Sequence, residues 1–233
     1  ESYAKPPETI IFDVDATDDP VHGNQEGRFF HGYYGHYCYL PLYIFCENQL
    51  LCARLRTADR DASDGVLPEL ERIVKRVGVA WPNVRIIIRG DSGFMRDQIM
   101  LWCETNRVDY ILGLAKNKRL EASIATQMQE AKQLYEETQK KARVFKDFRY
   151  QTLNSWTRER RVIGKAEYLS QGENPRFIVT SLGAEFQAQD LYEKLYCTRG
   201  EMENRIKEQQ LYLFADRTSA HWLPANQLRL YFA

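Results

Sequence analysis

Two short runs rich in β-branched residues each carry an aspartate at or near their end: TIIFDVDAT (9–17) and VRIIIRGD (84–91). This feature constrains the fold most. The second run is an unbroken apolar stretch too short for an ordinary helix, and it reads as a buried strand. The first has the composition of a strand, and its period of two puts Asp13 and Asp15 on one face. A chain with such strands must lay them in a sheet and cover that sheet.

The covering elements are legible further on. The stretch 28–57 is dense in Tyr, Phe and Leu, and Gly32, Gly35 and Glu47-Asn48-Gln49 punctuate it into two or three strands. Helical spacing of Val66, Leu67, Leu70, Ile73, Val74 and Val77 predicts a helix over 64–78, with Asp64 as N-cap and Gly78 as C-cap. A helix over 95–107 and a strand over 108–115 follow. Antiparallel strands first and strand–helix alternation later predict a mixed α/β sheet with helices packed on it. After Lys116 a polar helical stretch leads to three strand-like runs, at 144–153, 160–169 and 174–182. Residues 118–185 read as an insertion into the main fold, between a first core part (1–117) and a continuation (186–233). Asp190 to about Leu213 reads as one helix.

Composition sets limits. Hydrophobic residues are 44% of 233, enough for a packed interior. No apolar stretch approaches the ~20 residues of a membrane helix, and no charged-then-apolar leader opens the chain. The five cysteines (38, 46, 52, 103 and 197) form no CxxC pair, so neither a zinc site nor a disulfide framework is expected, and a reducing cytoplasm fits. Lys and Arg (32) balance Asp and Glu (32), which excludes a simple basic DNA-coating protein but not an enzyme with a local basic groove. The chain opens on ESYAKPPET and stops inside LPANQLRLYFA without a helix stop signal, as a fragment of a longer protein would.

Three acids stand out. Asp15 ends the first strand, with Asp13 as the alternative on the same face. Asp91 follows the apolar strand between Gly90 and Gly93. Glu203 lies on the late helix, where Tyr196, Arg199, Glu203 and Lys207 fall on one face at ~100° per residue. Carboxylates converging at strand ends suit hard divalent cations, and two such ions serve in-line displacement at phosphorus. Each acid alone has a plainer reading, as a turn or helix cap or as one member of a surface ion pair. Asp18 and Asp19 are read as turn residues, and His22 as a loop residue near the site. Trp156 lies beside Arg158, Arg160 and Arg161. It is read either as a stacking surface for a displaced base or as part of an insertion core. Lys116, Lys118 and Arg119 are either a DNA contact or a solvated loop.

The combination resembles the DDE transposases of bacterial insertion sequences, of the ribonuclease H-like and retroviral integrase superfamily. That family's late-helix signature is Tyr, two residues, Arg, three residues, Glu, six residues, Lys. Tyr196, Arg199 and Glu203 match it, while Gln210 stands at the Lys position and leaves the cation to Lys207. Asp15-Ala16-Thr17 and Arg89-Gly90-Asp91-Ser92-Gly93-Phe94 look like the first and second acidic motifs. The resemblance implies a ribonuclease H-like fold with a β-rich insertion before the catalytic glutamate. Asp15, Asp91 and Glu203 would be catalytic metal ligands for two Mg²⁺ or Mn²⁺ ions. It implies nicking at element ends, attack of a 3′-hydroxyl on target DNA, and a homodimer on paired ends in a bacterial cytoplasm, at the nucleoid. Tyr196, Arg199, Lys207 and Trp156 would contact DNA. It also implies an N-terminal end-binding region outside this chain. Two rivals remain: a nuclease of the same fold without strand transfer, and an inactive transposase-derived DNA-binding fragment.

Overall fold

A computed structural model describes residues 5–233; residues 1–4, part of the expected first core segment, lie outside the described residues. The chain packs as two compact units. One holds the residues up to Phe94 and returns with Arg199–Ala233; the other is Met95–Thr198.

The first unit begins with β1 (Thr9–Ala16), β2 (Asp19–Pro20), β3 (Phe29–His31), β4 (His36–Tyr39), β5 (Leu42–Cys46), β6 (Gln49–Arg54), α1 (Val66–Ala80) and β7 (Arg85–Gly90). Its main sheet runs β7-β1-β5-β6. β1 and β7 are parallel; β1–β5 and β5–β6 are antiparallel. The stretch expected to give two or three strands gives four, because β3 and β4 leave the main sheet and pair with β2 as a small sheet of their own. β2 itself lies in a segment expected to be loop.

The cap residues of α1 also differ from expectation. Gly65 is the N-cap, at φ 74°, a left-handed conformation that glycine adopts without strain. Asp64 is occupied elsewhere: its carboxylate accepts from Arg60, and its carbonyl from buried Arg56. Gly78 lies inside the helix, which continues to Ala80.

The second unit contains α2 (Asp97–Thr105), β8 (Asp109–Leu114), α3 (Lys118–Ser123), α4 (Ala125–Thr138), β9 (Ala142–Tyr150), β10 (Arg160–Leu169), β11 (Gly172–Glu173), β12 (Arg176–Thr180) and α5 (Ala188–Asp190). β10 pairs antiparallel with β9, β11 and β12, and β12 pairs with β8. α4 packs on β9 and β10.

The late helix is not continuous. After α5 the chain makes a π-helical turn over Leu191–Tyr196 and a 3₁₀ turn over Cys197–Arg199. Only then does α6 (Gly200–Tyr212) start. The Thr198 hydroxyl donates to the carbonyls of Lys194 and Leu195, drawing hydrogen-bonding capacity away from a regular α ladder. Gly200, a weak helix former, follows at once. α7 (Leu223–Phe232) completes the first unit.

α6 and α7 cover one face of the main sheet. Met202 and Ile206 of α6 and Leu230 of α7 are buried with Tyr43, Phe45, Ala53 and Leu55. Each side chain of that size contributes about 1.5–3 kcal/mol when fully buried. The Gln227 side chain accepts from the Leu55 N–H and donates to the Ala53 carbonyl, so α7 covers the outer edge of β6. The loop HGNQEG also serves this closure. Gln25 donates to the Thr218 carbonyl, Glu26 N–H to the His221 carbonyl, and Leu223 N–H to the Glu26 carboxylate. The chain is thus mixed α/β with a mixed sheet and packed helices, consistent with the ribonuclease H-like class.

Candidate active site

The parallel register of β1 and β7 builds the acidic site. Asp13 lies opposite Arg89, and Val14 opposite Gly90. Continued by one residue, the register sets Asp15 opposite Asp91. Adjacent strands run about 4.8 Å apart. The two positions on each strand share one face, because side chains alternate along a strand.

The two rungs differ in charge. Asp13 is buried, and Arg89 grips it with two parallel bonds, Nε to Oδ1 at 2.5 Å and Nη2 to Oδ2 at 2.8 Å. Both oxygens are committed to a buried bidentate pair. This leaves Asp15 as the open carboxylate of β1. Arg89 was quoted in the sequence only as part of the second acidic motif, with no role of its own, although it sits two residues before Asp91, the same interval that separates Asp13 from Asp15.

Asp91 is held by its own turn. Its carboxylate accepts from the Gly93 N–H at 2.8 Å, and its carbonyl accepts from Phe94 N–H, closing a 3₁₀ turn over Ser92–Phe94. A Cβ on Gly93 would stand 2.9 Å from Asp91 Oδ1 and 3.3 Å from the Ala62 Cβ. Glycine is needed there by the carboxylate itself.

Glu203 reaches the site through the seating of α6. Met202 and Ile206, one turn apart, anchor the helix on the sheet. Arg199 at the N-cap and Glu203 in the first turn flank that anchor. Arg199 bridges the two acids: Nη1 lies 3.3 Å from Asp15 Oδ2, and Nη2 donates to Glu203 Oε1 at 2.8 Å. The guanidinium expected to contact DNA is bound by these carboxylates in this structure. Lys207 is exposed. Gln210 donates to the Asp18 carbonyl at 3.1 Å and ties α6 to the end of β1. Tyr196 falls on the π-helical turn, in the second unit, so α-helical spacing does not carry from it to Arg199.

The electrostatics report the crowding. Burial pushes the Asp15 carboxyl up to about 6, and the negative charges of Asp91 and Glu203 push the same way. Arg199 and the Ala16 N–H oppose them. By formal charge, three carboxylates, Asp15, Asp91 and Glu203, stand against one bridging arginine. Among the described residues, no group of three or more His, Cys, Asp or Glu side chains stands close enough to hold a metal ion, and Arg199 occupies the gap between Asp15 and Glu203. The donors are hard carboxylate oxygens short of positive charge, the chemistry that fits Mg²⁺ or Mn²⁺.

Trp156 lies in the second unit and offers no open face. It is 5% exposed, its Nε1–H points at the Met95 sulfur, and Tyr150 stands edge-on to it at 5.8 Å. Its arginine neighbours are also committed. Arg160 is buried between Asp97 and Glu104, Arg161 binds Asp147, and Arg158 pairs with Glu104. Of the two readings of this segment, packing in a core is the one observed. His22 is exposed, and Asp19 is buried on β2, where its Oδ2 accepts from the Thr218 hydroxyl.

No helix among the described residues is long and apolar enough to cross a membrane. A comparison with curated proteins finds no match. The family described as Transposase DDE domain group 1 matches residues 1–233, from one end of the chain to the other. That match spans the chain that carries the acidic rung of β1 and β7, and the chain belongs to the transposase DDE domain family.

Proposed function

We propose that this chain cuts DNA at the ends of an insertion sequence and joins them to target DNA by phosphoryl transfer at Asp15, Asp91 and Glu203. The observation that carries the reading is electrostatic. Burial lifts the Asp15 carboxyl to about 6, and the charges of Asp91 and Glu203, the latter 188 positions away in sequence (203 − 15), push it the same way. Asp15, Asp91 and Glu203 would hold two divalent cations, Mg²⁺ or Mn²⁺, which activate the attacking oxygen and stabilise the leaving one.

The protein's own groups have defined tasks in this reading. Asp13 and Arg89 neutralise each other behind the site and keep a second carboxylate out of it. The Gly93 turn fixes the direction of Asp91. Arg199 holds Asp15 and Glu203 together, and its planar fork suits a phosphate once that grip loosens. Lys207, exposed two helical turns beyond Arg199, adds a point charge for the DNA backbone. Tyr196, which matches the family's late-helix signature, is assigned to DNA contact. Residues 118–185 form the insertion that precedes the Glu203 helix. Two copies act on paired ends, at the bacterial nucleoid.

The test uses DNA carrying the element's own ends, with Mn²⁺, and compares wild type with Asp91→Ala and Glu203→Ala. Nicking and strand transfer should be lost in both variants while thermal unfolding and DNA retention stay close to wild type, because these side chains serve charge and not packing. Nicking by wild type without joining would leave the nuclease rival. Full activity in Glu203→Ala would remove that residue from the site.

A further inference from the structure

We propose that the β3–β4 hairpin is a stacking platform for unpaired bases of the DNA strand whose backbone is held at the acids. The inference rests on the DNA chemistry proposed above. It concerns residues that the sequence marks only as part of a strand-forming stretch.

The ten residues RFFHGYYGHY (28–37) hold five Phe and Tyr side chains. Most of them do not pack inward. Phe29 is 50% exposed, Phe30 52%, Tyr37 46% and Tyr33 87%. Large rings held in water forgo the stabilisation that burial gives, and several of them exposed on one short hairpin mark a binding surface. The rings are ordered against one another. Phe30 faces Tyr37 across the hairpin, edge to face, with centroids 5.5 Å apart. The Arg28 guanidinium lies 4.7 Å from the Tyr37 centroid. At the tip, Tyr33 stands perpendicular to Tyr34 at 5.1 Å. Gly32 and Gly35 have open space where a side chain would be, so a strand can approach the tip closely.

The other side of the hairpin is rooted in the acidic site. Tyr34 packs with Ala16, the residue after Asp15, against Cys38, Leu40 and Ala58. His36 Nε2 lies 2.8 Å from Asp18 Oδ2. The hairpin that carries the exposed rings is thus anchored beside the end of β1, where the scissile phosphate is proposed to sit. A strand engaged there has its neighbouring nucleotides beside this hairpin.

The arrangement favours bases over other occupants. Every outward side chain is a flat ring, with a cation against one of them, and aliphatic side chains are missing from the ten residues. Rings set near 80° to one another do not extend the regular stack of a duplex. They accept separate, splayed bases. Base–aromatic stacking of this kind is tolerant of sequence.

The test uses a short duplex with a single-stranded 3′ overhang carrying 2-aminopurine, beside the flush duplex, both in chelator so that nothing is cut. Wild type should bind the overhang more tightly than the flush duplex and quench the 2-aminopurine on binding. Phe30→Ala, Tyr33→Ala and Tyr37→Ala should each weaken overhang binding about tenfold and relieve the quenching, with flush-duplex binding unchanged. Tyr33→Phe should keep both. Thermal unfolding should match wild type, since these rings lie outside the core. Variants that bind the overhang like wild type would overturn the proposal. So would variants that instead abolish a concentration-dependent dimer in sedimentation, which would make the face a contact between copies. If wild type binds neither DNA, the DNA-processing function itself fails, and the platform with it.

Discussion

Replacing Asp15 by asparagine should stabilise the fold when divalent cations are withheld, and the gain should grow with pH. The side chain is 14% exposed, and burial with the charges of Asp91 and Glu203 lifts its carboxyl from 3.8 to about 6. At about 1.4 kcal/mol per tenfold change in acidity, the ionised folded state is about 3 kcal/mol less stable than an unperturbed carboxylate would leave it. The folded value is the higher one, so folding favours the protonated form. The associated stability is complete below about 4 and is lost as pH rises through about 6. Asparagine has the same shape and no charge to lose. Thermal melts in chelator should therefore coincide near acid pH and diverge through neutrality. The upper limit of the gain is roughly 6–12 °C for a chain of this size. Adding Mn²⁺ should raise the wild-type midpoint by mass action and leave Asp15→Asn nearly unmoved, narrowing or reversing the order. A gain independent of pH, or an equal response of both proteins to Mn²⁺, would refute the reasoning.

Asp19 offers a contrast, because burial lifts it to about 7 and its Oδ1 has no hydrogen-bond partner among the described residues. Asp19→Asn should stabilise the protein as pH rises through about 7 by the same sign argument, with no dependence on Mn²⁺ in a melt series. Gly93→Ala forces a Cβ to within 2.9 Å of Asp91 Oδ1, so nicking should fall at least tenfold while unfolding shifts by only about 1 kcal/mol. Lys207→Ala should flatten the salt dependence of DNA binding by about one unit of log–log slope, as measured across a salt series.

Much of the site was legible because strand burial leaves a local record. The β-branched runs at 9–16 and 85–90 announce themselves, and an aspartate at the end of each marks where chemistry can sit. What the sequence cannot display is the parallel pairing of those two runs. That pairing distinguishes Asp13, consumed by Arg89, from Asp15, and it depends on register between segments over 70 residues apart. The late helix misled for a related reason. Apolar periodicity reads α-helix, whereas the Thr198 hydroxyl and Gly200 interrupt the ladder between Tyr196 and Arg199. Trp156 with its arginines reads alike on a surface or in a core. The deciding residues, Asp97 and Glu104, lie on a helix more than 50 residues earlier. The aromatic segment 28–37 carried the opposite ambiguity: strands were foreseen, but not that their rings would face water.

The first unit is assembled from two stretches of chain, and this has a consequence in time. Between Phe94 and Arg199 the ribosome must deliver 104 residues (95 to 198). At roughly 5–20 residues per second, that is about 5–20 seconds during which β1, β5, β6 and β7 exist without α6 and α7. For that interval Tyr43, Phe45 and Leu55 lack the cover of Met202, Ile206 and Leu230, and Asp15 lacks Arg199. A nascent chain thus carries its aspartates early and becomes competent only after nearly the whole domain is made. Premature termination before Arg199 yields a sheet with a bare apolar face, a substrate for chaperones and proteases.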